Sequence, residues 1–150
     1  MAAQGLIVLA GLSVALLVGL LLLARTVSGL RAALRVSVAE LKRRLDEQQD
    51  LLLLDVRTAA DFVGEQGHIP GARNIPLEEL PTRVAKLGDT PKRSIFLICR
   101  TDRRSVKAAQ FLGRRGFGDV HVVQDGMTAW LDNGWPAQDV HPRQTEVPSR

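Results

Sequence analysis

The chain has 150 residues and one cysteine, Cys99. It is followed by Arg100-Thr101-Asp102-Arg103-Arg104-Ser105, which places three arginines within five residues of the thiol. Neighbouring cations favour the thiolate, which is the nucleophilic form of cysteine. A free cysteine can also be an inert, buried small hydrophobe, but packing alone does not call for a cluster of charges. The pattern therefore points to a nucleophilic sulfur that meets an anionic substrate.

Two elements must position that sulfur. Ser94-Ile95-Phe96-Leu97-Ile98 is a short apolar run that suits a strand buried on both faces. Residues 103–112 place Val106, Ala109 and Leu112 at helical spacing among polar residues. Cys99 then stands in a strand-to-helix loop. The unpaired N–H groups and the dipole of the helix start favour a thiolate and can hold an anion. In open α/β sheets, ligands bind outside the carboxyl ends of the strands.

The remaining elements follow the same alternation. Ser37-Val38-Ala39-Glu40 has the form of a capping box, and Val38, Leu41 and Leu45 continue at helical spacing. Leu51-Leu52-Leu53-Leu54 reads as a buried strand that ends at Asp55. Residues 58–63 form a short helical candidate and residues 72–75 a short strand. Residues 77–87 read as a helix with Pro76 and Pro81 near its start, and Gly113, Gly116 and Gly118 are expected to end the 103–112 helix. Residues 120–123 read as a strand, and residues 127–131 lie in a closing helix ended by Asn133-Gly134. Alternating strands and helices imply an α/β fold with a mostly parallel central sheet flanked by helices.

Four blocks in order, from about Val36 to Pro136, resemble a rhodanese-like domain of the single-domain sulfurtransferase type. They are the strand ending Asp55-Val56-Arg57, the turn Gly67-His68-Ile69-Pro70-Gly71-Ala72, the loop opening with Cys99 and closing with Arg104-Ser105, and the stretch from Gly126 through Trp130 to Gly134-Trp135-Pro136. Met127 stands where a second glycine is common, and Asp102 where the family often has glycine. The stretch between Arg57 and Gly67 has its own length and composition.

The resemblance implies a three-layer fold and a sulfurtransferase. Cys99 would take the outer sulfur of thiosulfate or a persulfide donor and pass it to cyanide, a small thiol or a protein thiol. Residues Arg100, Thr101, Asp102, Arg103, Arg104 and Ser105 would form the substrate cradle. Arg100 and Arg104 would hold the sulfonate, and Ser105 would donate to the Cys99 sulfur. Asp102 would temper the positive field or bias the acceptor. Asp55, Arg57 and His68 would act structurally near the site, with His68 fixing its turn. Phosphatases of similar fold use a Cys-x5-Arg loop, whereas Cys99 to Arg104 is Cys-x4-Arg, so the spacing favours sulfur transfer. The other reading is a catalytically weak, membrane-tethered binding or sulfur-relay module.

Composition sets the surroundings. A single cysteine excludes an internal disulfide framework and a multi-cysteine zinc site, and His121 and His141 lack ligand spacing, so no metal or cofactor is expected. Lysine and arginine number 20 against 16 acids. Three of those bases, Arg25, Arg31 and Arg35, fall in the first 35 residues, which contain no acid. The remainder is almost neutral, so nucleic acid is not an expected partner.

Residues 6–24 carry no charge, and as a helix they would cover roughly 30 Å, the thickness of a hydrocarbon core. After a short N-terminal tail, residues 1–5, this stretch is expected to be a single transmembrane helix, followed by a basic linker over residues 25–35. A domain over residues 36–136 and a flexible tail over residues 137–150 complete the expected organisation. Residues 1–5 lack the positive charge of a signal peptide, and the apolar run is long for one. A buried helix this apolar would be unusual in so short a chain. The three arginines after the span place the C-terminal domain in the cytoplasm by the positive-inside rule, at the plasma or inner membrane, and they could touch anionic lipid. Gly11, Ala15 and Gly19 share one helix face and would suit either helix contact or lipid.

Overall fold

The computed structural model describes residues 18–19, 34–87 and 93–138. Five strands, β1 (Leu34–Val36), β2 (Leu51–Asp55), β3 (Arg73–Asn74), β4 (Ser94–Ile98) and β5 (Val120–Val123), form one parallel sheet in the order β1-β5-β4-β2-β3. The three central strands are near-continuous apolar runs because both of their faces are covered. Leu54, Ile95, Leu97, Val120 and Val122 face one core, with Leu52 packed against it. Leu53, Phe96, Ile98 and Val123 face the other, with Leu51 packed against it.

Helices complete the two outer layers. On the first face lies α4 (Arg103–Arg114), through Ala108, Ala109 and Leu112. On the second lie α1 (Val38–Asp46), through Val38 and Leu41, and α5 (Gly126–Asp132), through Met127 and Trp130. Two shorter helices, α2 (Ala59–Val63) and α3 (Leu80–Arg83), occupy the crossovers. The expected parallel α/β sheet flanked by helices is present.

Several boundaries differ from expectation. The stretch expected as a linker to residue 35 includes strand β1, which pairs Leu34 with His121 and Val36 with Val123. Pairing to a buried neighbour makes this strand, although Leu34 is exposed. The helix expected over residues 77–87 is instead three short turns, Leu77–Glu79, α3 and Val84–Leu87. Pro81 lacks an N–H to continue the ladder through this stretch. Gly113 lies inside α4, and the turn that follows uses Gly116 at φ +91°. Residues 137 and 138 belong to the domain: Gln138 pairs with His68 in an antiparallel bridge. Residues 139–150 lie outside the described residues.

The segment expected to span a membrane, residues 6–24, also lies outside the described residues except for Val18 and Gly19, which are helical. Among the described residues no helix is long and apolar enough to cross a membrane.

Candidate functional site

Cys99 follows β4 directly and is buried, at 2% exposure. It lies in a cavity of about 400 Å³ lined by Cys99, Arg100, Thr101, Arg103 and Arg104. Five of the seven residues expected to form the site therefore share one cavity. Asp102 and Ser105 do not line it.

The loop is held by the start of α5. The N–H of Met127 donates to the Cys99 carbonyl at 2.8 Å, and the N–H of Thr128 donates to the Arg100 carbonyl at 3.0 Å. The Thr128 hydroxyl donates to the same carbonyl at 3.0 Å. With its carbonyls fixed on that side, the loop keeps its donors free. Among the described residues nothing accepts from the backbone N–H groups of Arg100, Thr101 or Asp102. The next N–H groups belong to the first turn of α4, where a helix has no internal partner for them. Cys99 is thus followed by a run of backbone donors that have no acceptor among the described residues.

The anchoring residues at 126–128 were not among the expected site residues. Gly126 sits at φ +48°, and a Cβ there would lie 2.1 Å from the Cys99 carbonyl oxygen and 2.3 Å from that of Thr101. The sequence signal was the glycine that opens the closing block.

The arginines differ in their commitments. Arg104 donates from Nη1 to Asp61 on α2 at 3.0 Å. That hydrogen bond holds the Asp61 carboxyl below its ordinary range. Among the described residues the guanidiniums of Arg100 and Arg103 make no hydrogen bond or ion pair. Asp102 flanks α4 as its N-cap but makes no side-chain capping bond there. Its carboxylate instead accepts from Arg35 Nη1 of β1 at 2.5 Å. The Ser105 hydroxyl is buried without a hydrogen-bond partner among the described residues, so the expected donation to the Cys99 sulfur is not made in this structure.

Asp55 and Arg57 are fully buried and build the wall beside the loop. Arg57 Nε reaches both Asp55 oxygens, at 3.0 and 2.9 Å, and Nη2 donates to Asp55 Oδ2 at 2.6 Å. The same Nη2 donates to the Gly67 carbonyl at 2.7 Å, which ties the end of β2 to the turn. Arg57 and Arg100 both line a neighbouring cavity of about 310 Å³. His68 Nδ1 donates to the Phe62 carbonyl at 3.0 Å, and its ring stacks on Phe62 at 3.7 Å. These are fixing contacts, and His68 lines neither cavity. Among the described residues no cluster of metal-ligating side chains is present.

A parallel sheet between two helical layers, with a lone cysteine at a strand's carboxyl end in a cavity lined by arginines, defines the class of domain. Comparison with known proteins gives its family: residues 37–133 match the rhodanese-like domain, and the chain belongs to that family. A sulfurtransferase of Allochromatium vinosum is 36% identical over 97 residues, which cover 64% of this chain and 86% of that protein. The solution structure of a rhodanese-like domain from an Anabaena protein superposes with a TM-score of 0.65 at 27% identity, covering 77% of this chain and 86% of that one. A rhodanese-like domain protein from Staphylococcus aureus superposes at 0.61 and 28% identity, covering 71% and 99%.

Proposed function

We propose that this protein is a sulfurtransferase that carries sulfane sulfur on Cys99. The observation that supports this most is the loop itself. A lone cysteine lines a cavity with two uncommitted guanidiniums, beside backbone N–H groups that have no acceptor among the described residues. The Cys99 thiolate attacks the outer sulfur of thiosulfate. The new S–S bond forms as the bond to the sulfonate sulfur breaks, and sulfite leaves with the electron pair. The product is a Cys99 persulfide. The free loop donors stabilise its terminal sulfur as an oxyanion hole stabilises oxygen. Arg100 and Arg103 hold the departing anion by charge-assisted hydrogen bonds, with Arg104 contributing the donors not used by Asp61. Cyanide or a thiolate then attacks the terminal sulfur and releases Cys99 as the thiolate.

The proposal extends to location. Residues 6–24 anchor the protein in a bilayer as a single-pass helix, with the catalytic domain in the cytoplasm. Their unbroken uncharged run and the arginines that follow support this. A sulfur relay fed by a partner's persulfide would use the same cysteine.

The test is an intact mass of the full chain in non-ionic detergent after incubation with thiosulfate. One added sulfur, about 32 Da, is expected on the parent and not on Cys99→Ser, as nucleophilic catalysis at that atom requires. Thiocyanate release on adding cyanide then measures turnover. A folded parent that takes no sulfur from thiosulfate or from a small-molecule persulfide would overturn the reading. Loading by the persulfide alone would favour the relay.

A further inference from the structure

The active loop contains one acid, Asp102, within three residues of the nucleophile. An unpaired carboxylate there would oppose the binding of an anionic donor. The structure supplies a cation to it from a distant part of the chain. Arg35, on edge strand β1, donates to Asp102 Oδ2 at 2.5 Å across 67 residues of sequence. Asp102 makes no capping bond to α4 and lines neither cavity at the site. Among the described residues, its side chain pairs with Arg35 alone. With Asp102 matched by Arg35 and Arg104 matched by Asp61, the loop presents two guanidiniums, Arg100 and Arg103, that have no partner among the described residues. Two free positive charges match a doubly charged donor.

We propose that Arg35 is a specificity-determining residue that masks Asp102 and so sets the Cys99 loop for a dianionic sulfur donor of the thiosulfate type. The inference rests on the sulfur-transfer reading above. Arg35 acts through Asp102 and is a positioning residue, not a catalytic one.

The ion pair is partly exposed, with side chains 53% and 28% accessible. Its influence is therefore modest and sensitive to salt, because mobile ions screen exposed charges. The experiment compares KM for thiosulfate, with cyanide as acceptor, in the full chain and in Arg35→Gln, Asp102→Asn and the double variant. It is run at an ionic strength of ~0.01 M, where the screening length is ~30 Å, and again near ~1 M, where it is ~3 Å. Arg93→Gln is the charge-matched control. Arg93 pairs with Asp50 just before β4 and β2, at the end of the sheet opposite Cys99.

At low salt, Arg35→Gln is expected to raise KM about threefold while kcat holds, since a bare Asp102 then repels the donor. High salt closes the gap. Asp102→Asn keeps KM at or below the parent value, and the double variant returns to it. If Arg35→Gln is indistinguishable from the parent at low salt, the inference is overturned. It is equally overturned if all three variants are impaired alike, because the pair would then be a mechanical tether. A parent that takes no sulfur from thiosulfate fails before any variant is compared. That outcome removes the donor assignment and is separate from an active parent with an inert Arg35.

Discussion

A methyl group at position 126 has nowhere to go. It would meet two carbonyl oxygens of the active loop at 2.1 and 2.3 Å, on a residue already at positive φ. Gly126→Ala must therefore push the Cys99 loop away from α5 and lose the Met127 and Thr128 contacts. It should cost about 2–4 kcal/mol of stability, the sum of backbone strain and overpacking, read as a lower denaturant midpoint. Sulfur uptake should fall in the fraction that remains folded. Ser105 makes the opposite case. Its hydroxyl is buried with no partner among the described residues, so removing it relieves an unsatisfied group. Ser105→Ala should unfold at the same denaturant concentration as the parent or slightly higher. If the hydroxyl serves the persulfide, transfer slows while stability does not fall. Cys99 and its arginines were legible as a candidate site because charge density beside a lone cysteine has no packing use, and the structure places Cys99, Arg100, Arg103 and Arg104 around one cavity. The commitments of those arginines were not. Asp61 and Arg35 lie 43 and 67 residues from their loop partners, and pairings at that distance are set by topology.

Among the elements, α1 carries most of its own instructions. Ser37 accepts from the Glu40 N–H at 3.2 Å, as the capping pattern requires. The Glu40 side chain turns away from the cap, however, to Arg43 and Arg44 at 2.9 and 2.6 Å. Those two guanidiniums lower its pKa to about 2 from an ordinary 4.5. A depressed carboxylate contributes its stability above the unfolded value and loses it as pH falls through the folded one. The helix should therefore keep this support down to about pH 4.5 and lose it between there and about pH 2. In an acid titration followed by circular dichroism, Glu40→Gln should flatten that part of the curve; an unchanged curve would show that the pairs contribute nothing. The central strands were equally legible, because burial on both faces forces unbroken apolar runs. Strand β1 was not. With three residues and an exposed Leu34, it exists only because β5 offers it an edge. The 77–87 stretch misled for the converse reason: helical spacing of apolar residues survives in a series of short turns, and Pro81 interrupts the ladder without disturbing that spacing.

At the scale of the whole molecule, the sheet orders the remaining geometry. All strands run parallel, so Cys99 opens at the carboxyl edge, while the chain enters β1 at the amino edge. Because β1 starts at Leu34, the proposed connection from the bilayer is residues 25–33. Even fully extended, this spans only roughly 30 Å, so a domain anchored through residues 6–24 works close to the membrane surface. The same boundary changes the charge argument for orientation. Arg35 is bound to Asp102 inside the domain, which leaves Arg25 and Arg31 as the arginines flanking the span. The proposed anchor rests on chain chemistry: some nineteen uncharged residues placed in a bilayer as a helix would satisfy every backbone group internally, as a bilayer demands. The full chain is expected to float with liposomes of neutral lipid in a density gradient and to stay with them through an alkaline carbonate wash. Neutral lipid matters, because a protein held only by Arg25 and Arg31 would bind anionic vesicles and release in salt. Recovery at the bottom of the gradient, or release by carbonate, would overturn the anchor and leave the Cys99 chemistry untouched.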